Sequence, residues 1–212
     1  MTAVPRLLVS ILVLACMGSV AGCQTRGVDP MSAADFPIPV TSWPLADDPA
    51  PNWRASSEFS ATFGEGQTIR TFRALLTLER RGDQLHFIVL SPLGIPLFTA
   101  TLNQGGELAV VQQVATNLNP DRVLAELQFC LWPNWLLRGA YEQPWTMTED
   151  SASRTLHRRG DIVATAQWSE AVDNMSLREK AARAVVLQHR QGNYEIRIRP
   201  LPASSLRQEV HE

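Results

Sequence analysis

From Glu58 onward the chain alternates apolar and polar residues in short runs broken by glycine and proline, and this period of two constrains the fold more than any other feature. Phe59, Ala61 and Phe63 share one face of a first strand. Phe72, Ala74, Leu76 and Leu78 share one face of a second, opposite Thr71, Arg73 and Glu79. Gly82-Asp83 turns the chain into Gln84–Leu90, where Phe87-Ile88-Val89-Leu90 is apolar on both faces and should be covered on both. Pro92 and Gly94 break that strand ahead of Leu97–Leu102, and Gly105-Gly106 leads into Leu108–Val114. Strands joined by such short turns predict an antiparallel meander.

The period changes at Asn119-Pro120-Asp121. Asparagine caps a helix, proline suits its first turn, and aspartate favours its positive end. Val123, Leu124, Leu127, Cys130 and Leu131 then recur at helical spacing, which predicts an amphipathic helix over 120–131, with Asp121 and Glu126 on a solvated face. Pro133 stops it, and Trp132, Trp135, Leu136 and Leu137 follow at once. Two further hairpins turn at Gly160-Asp161, into Ile162–Trp168, and at Gly192-Asn193, into Tyr194–Arg199. Over 176–190 the signals conflict: Ser176 with Glu179 forms a capping box, but Val185-Val186-Leu187 favours a strand, which is the reading preferred. Arg80-Arg81-Gly82-Asp83 recurs as Arg158-Arg159-Gly160-Asp161, and both read as hairpin turns. The fold class expected is α+β, mainly antiparallel β.

The N-terminus has a different logic. Arg6, the apolar run Leu7–Met17 and a stretch of small residues form a secretory signal over 1–22, too short for the roughly 20 residues of a spanning helix. It ends in Val20-Ala21-Gly22-Cys23, which resembles the lipobox of bacterial lipoproteins and implies acylation of Cys23. Gln24 follows, where lipoproteins retained in the inner membrane often carry aspartate; the expectation is therefore a lipid anchor at the periplasmic face of the outer membrane. Residues 23–57 hold Pro30, Pro37, Pro39, Pro44, Pro49 and Pro51 and read as an extended tether, its later part laid against the domain by Trp43 and Trp53. The β domain is expected over 58–200, with a tail at 201–212.

Composition excludes several classes. An apolar fraction of 45% with 19% charged residues describes a globular chain, and a formal net charge of −2 provides no basic excess for nucleic acid. With Cys16 removed in the signal and Cys23 acylated, Cys130 stands alone on the helix stripe, the position of a packing thiol. His86, His157, His189 and His211 show no metal-ligand spacing, and no nucleophile elbow or phosphate loop is present. Neither metal, cofactor nor catalytic residue is expected, and the chain reads as a non-enzyme. What it carries instead is apolar surplus. Phe72, Leu76, Phe87, Val89, Phe98, Leu127, Trp132 and Trp135 are the candidates to line a cavity for an apolar ligand, or to fill the interior of a curved sheet. The sequence alone leaves both outcomes open.

Ser91-Pro92-Leu93-Gly94, between one apolar strand and the next, resembles the strand–loop–strand of LolB, the outer-membrane receptor for lipoproteins. The order of lipobox, meander, helix, tryptophan-bearing segment and late hairpins matches that family over about residues 58–199. Val123-Leu124-Ala125-Glu126-Leu127-Gln128 with Leu131-Trp132-Pro133 is similar to a family of LolB-like outer-membrane lipoproteins, without characterised function, whose genes often accompany those for aryl-polyene lipids. The resemblance implies a LolA/LolB-like incomplete barrel with a helical lid, an interior that takes acyl chains, and a loop that inserts Leu93, with Ile95 as its neighbour, during delivery. Pro96, which stiffens that loop, and the long tether depart from the pattern. The implied partners are outer-membrane lipid, an acylated ligand (lipoprotein or glycolipid) and a periplasmic LolA-like carrier as donor. The alternative is a structural or interaction lipoprotein with a filled core.

Overall fold

In the computed structural model, which describes residues 36–37, 39–42, 52–64, 69–114, 118–190 and 192–202, the hairpin signals become one continuous sheet. The elements run β1 (Asn52–Phe63), β2 (Arg70–Arg81), β3 (Gln84–Leu90), β4 (Pro96–Asn103), β5 (Leu108–Gln112), α1 (Pro120–Leu131), α2 (Asn134–Ala140), β6 (Trp145–Glu149), β7 (Ser153–Arg158), β8 (Asp161–Trp168), α3 (Leu177–Ala181), β9 (Val185–His189) and β10 (Tyr194–Pro200). The strand order is β5-β4-β3-β2-β1-β10-β9-β8-β7-β6, with antiparallel neighbours throughout. Both repeated Arg-Arg-Gly-Asp segments are two-residue turns: Arg81 pairs with Gln84, and Arg158 with Asp161. Gly82, Arg159 and Gly160 take positive φ there (58°, 54° and 92°).

The sheet does not close. β5 and β6 are its two edges, so the connection between them, which carries α1, must cross the whole sheet. β3 and β7 stand six places apart in the strand order, about 29 Å on a flat sheet at roughly 4.8 Å per strand. Yet Trp132, just past α1, stacks on Phe87 of β3 with ring centroids 5.9 Å apart, and its carbonyl accepts a 2.9 Å hydrogen bond from Arg154 of β7. The sheet therefore curls around the helix.

α1 starts and stops where its sequence signals lie. The Asn119 side chain accepts from the Asp121 and Arg122 amides, Pro120 occupies the first turn, and the helix ends at Leu131 before Pro133. Its surroundings differ from the expectation. Every residue from Arg122 to Leu131 is buried, so α1 is enclosed rather than amphipathic, and Glu126, expected on a solvated face, is 1% exposed. The curled sheet covers one side. On another lies a strap of residues 36–37 and 39–42: Val40 donates its N–H to Gln128 Oε1 at 2.6 Å, Gln128 Nε2 donates to the Val40 carbonyl at 2.8 Å, and Trp132 Nε1 donates to the Ser42 carbonyl at 3.1 Å.

Other local expectations shift for identifiable reasons. β1 begins at Asn52 rather than Glu58, because Arg54 and Ser56 extend the alternation and bring Trp53 into the core; Phe36 and Val40 of the stretch read as tether are also buried. In β3 only Leu85, Phe87 and Val89 are fully buried. Ile88 and Leu90 on the other face are half-covered, so the two-sided burial expected there is partial. Val114 lies beyond β5, which ends at Gln112. Over 176–190 both signals operate in turn: the Ser176/Glu179 capping box starts α3, and β9 follows. The helix α2 after Pro133 has no counterpart among the sequence expectations. Cys23, the signal segment and most of the tail lie outside the described residues.

Candidate functional site

The turn between β3 and β4 is built from short-range bonds. Ser91 donates its N–H to the Ile95 carbonyl at 2.8 Å, Gly94 donates to the Ser91 carbonyl at 2.9 Å, and Ile95 donates to Ser91 Oγ at 3.1 Å. Gly94 supplies the left-handed corner, with φ of 78°. These bonds close the turn, and its apolar side chains point outward. Leu93 is 86% exposed and Ile95 51%.

These two are not isolated. Ile69 precedes β2, Val111 and Val114 lie at the end of β5, and Ile162 lies at the start of β8; all four are exposed. Val114 donates its N–H to the Leu97 carbonyl at 3.3 Å, which sets it beside the Leu93 turn. Following the antiparallel registers from β3 to β8 places Ile69, Leu93, Ile95, Val111, Val114 and Ile162 at the same end of the strands. Among the described residues, the remaining exposed large apolar side chain is Trp135. It lies at the opposite end, in an open groove of 1290 Å³ beside Asp150 and Ser151 of the β6–β7 turn. An aliphatic rim at one end of a curled sheet is a surface that gains from contact with an apolar phase.

The eight cavity candidates separate. Leu76, Phe87, Val89, Phe98, Leu127 and Trp132 are buried together in one apolar core, and Phe72 packs half-buried against it, edge-on to Phe59 with centroids 6.4 Å apart. Trp135 is not with them; it is 57% exposed on α2. The groove beside Trp135 and a second of 530 Å³ around His189 and Tyr194 are open to solvent and lined by none of the other seven. Leu127 and Trp132 come from α1 and its C-cap, so the helix packs its own side chains into the core that the strands line.

α1 carries polar groups that its apolar spacing did not announce. Arg122 Nε donates to Glu126 Oε1 at 2.7 Å, and the Tyr194 hydroxyl of β10 donates to the same oxygen, closing a buried trio. Burial pushes the Glu126 carboxyl above the usual carboxylate range, against the opposing pull of Arg122. At the other end Arg154, fully buried, donates to the carbonyls of Phe129 and Trp132 and pairs with Glu149 at 3.0 Å. Its position is that of a C-terminal cap supplied by another element, since the last turn of α1 holds no basic residue. Cys130 is buried, and burial pushes its thiol up to about 12.

The described histidines are dispersed, and His211 lies outside the described residues. His86 pairs with Thr101 at 3.1 Å, His157 with Thr148 at 3.4 Å, and His189 stacks on Tyr194 with centroids 4.8 Å apart. No group of three or more metal-ligating side chains occurs among the described residues. Gln128, Arg154 and the wider rim escaped the sequence reading. Only Arg154, a charge in an otherwise alternating strand, left a visible signal, as a basic residue at an inward-facing position.

No curated protein matches the chain. The crystal structure of a domain from Vibrio parahaemolyticus, named as an outer membrane lipoprotein-sorting protein domain, is similar at a TM-score of 0.38 and 8% identity, covering 74% of this chain and 87% of that one. At that level the likeness carries no weight for fold or function. The match over residues 55–202, spanning β1 to the end of β10, is to a family of proteins of unknown function, DUF3261, and the chain belongs to that family.

Proposed function

We propose that this protein is a lipid-anchored acceptor, held at the periplasmic face of the outer membrane through Cys23, that takes an acylated ligand and places it in the bilayer without covalent catalysis. The observation that carries the reading is the aliphatic rim, above all Leu93, held 86% exposed on a turn closed by its own short-range hydrogen bonds. Full burial of a leucine is worth roughly 1.5–3 kcal/mol. Folding does not collect that energy here, but contact with lipid would. In this reading the sheet is an incomplete barrel, α1 and its strap are the movable cover of its interior, and an acyl chain enters where they now pack. The ligand is a lipoprotein or glycolipid, delivered by a periplasmic carrier of the LolA type.

A second reading rests on a different observation. α1 fills the curl of the sheet, and no residue from Arg122 to Leu131 is left for a ligand to touch. A structural lipoprotein that presents its rim to a partner needs nothing more. Native mass spectrometry of the chain purified from membranes separates the two. The acceptor reading predicts a retained species with the mass of an acylated molecule, released by organic solvent. A chain of bare protein mass, even after incubation with palmitoyl lipopeptide, supports the filled-core reading instead.

A further inference from the structure

The bonds between Gln128 and Val40 have a specific chemistry. One side-chain carboxamide accepts from the N–H and donates to the C=O of the same residue, at 2.6 and 2.8 Å, in a buried setting. In an extended chain the N–H and C=O of one residue point the same way, as in a strand pair that exchanges both bonds. A single amide, such as the N-acetyl group of a sugar, points them apart. Gln128 therefore reads polypeptide. Around it, Phe36 sits edge-on to Phe129 with centroids 5.8 Å apart, 5.6 Å under the Arg122 guanidinium, and Val40 is buried. Trp132 holds the Ser42 carbonyl. The strap belongs to none of the strands, and Pro37 and Pro39 deny it two backbone donors, so side chains of α1 supply the polar contacts described for it.

We infer that the face formed by Gln128, Phe129 and Arg122 of α1 with its C-cap Trp132 is a binding groove for an extended polypeptide, occupied in cis by residues 36–37 and 39–42 and open in trans to the corresponding segment of an acylated protein. This rests on the acceptor reading and sharpens it: the ligand is a lipoprotein, whose polypeptide offers the paired N–H and C=O that Gln128 takes, rather than a glycolipid. Apolar residues spaced as Phe36 and Val40, with a free N–H at the second, define what fits. The tethered strap is present at an effective concentration in the millimolar range, so a trans segment competes only when the strap is weakened or the segment is abundant.

The test uses the full mature chain with Cys23→Ser and a fluorescein-labelled peptide of its own residues 34–42. A Phe36→Ala/Val40→Ala variant, which weakens only the cis occupant, should bind the peptide at least tenfold tighter than the unmodified chain, and adding Gln128→Leu should abolish that gain. In the unmodified chain, millimolar peptide should speed hydrogen exchange at the Val40 amide, which decides the matter even where a variant does not fold. Absence of binding by the folded double variant, indifference to Gln128→Leu, or unchanged exchange at Val40 overturns the groove. An N-palmitoyl form of the peptide separates the two levels. Palmitoyl peptide bound no more tightly than plain peptide leaves the groove standing and removes the acceptor reading. Palmitoyl peptide bound where plain peptide is not removes the groove and leaves the acceptor reading.

Discussion

Arg154 of β7 donates through Nη2 to the carbonyl of Trp132, 2.9 Å away, so the end of α1 is capped from the far side of the curled sheet. The same guanidinium reaches the Phe129 carbonyl and Glu149, and lies 5.4 Å from the Trp168 ring. Burial pulls the Arg154 pKa down from its ordinary value, with Glu149 opposing. Arg154 therefore ties the helix inside the sheet to one of its outermost strands.

Arg154→Met should be among the most destabilising single changes. It leaves two helix carbonyls without their donor and the carboxylate of Glu149 without its partner, and removal of one member of a buried pair costs about 3–5 kcal/mol. Urea denaturation should show the midpoint falling accordingly, with the slope unchanged.

Cys130 predicts a pH dependence. Burial raises its folded thiol to about 12, above the ordinary range of a free cysteine. The unfolded chain therefore gives up its proton first, and stability is full below pH 9 and declines as pH rises toward 12, at about 1.4 kcal/mol per pH unit. Cys130→Ala should remove that slope. Tyr194 and Tyr141, also raised by burial, titrate in both proteins and cancel in the comparison. Denaturation at pH 8, 9.5 and 11 for both chains checks it.

The two tryptophans that the sequence places side by side should behave in opposite ways. Trp132, with no exposed surface, stacks on Phe87 and holds the strap, so Trp132→Ala should cost about 3–5 kcal/mol. Trp135→Ala should shift stability by no more than about 0.5 kcal/mol. Thermal melts of the two variants read the difference directly.

The features legible in the sequence are those that local chemistry decides. Asn119 and Pro133 bound α1, and glycines mark both Arg-Arg-Gly-Asp turns, whereas the Ser176/Glu179 capping box, set aside in favour of a strand, does start α3. What periodicity could not show was what lies against each face. An apolar stripe at Val123, Leu124, Leu127 and Leu131 looks the same whether the opposite side meets water or a strap, so the burial of Gln128 and Glu126 had no local signature. Their partners, Val40 and Tyr194, are 88 and 68 residues away. Trp135 likewise reads as core by composition, and only the placement of α2 turns it outward. The Leu93 turn was legible as a turn; its exposure depends on the backbone bonds that close it.

Leu93→Glu tests the central claim most directly. Because Leu93 is 86% exposed, the charge meets water rather than a core, and the melting temperature should hold within the equivalent of about 0.5 kcal/mol. The measurement is the rate at which the chain, loaded with a fluorescent palmitoyl lipopeptide, passes it to liposomes, taken beside a melt of the same variant. An unchanged melt with transfer slowed at least tenfold is the result that a bilayer-facing rim predicts. Transfer at the unmodified rate, with the fold intact, would contradict it.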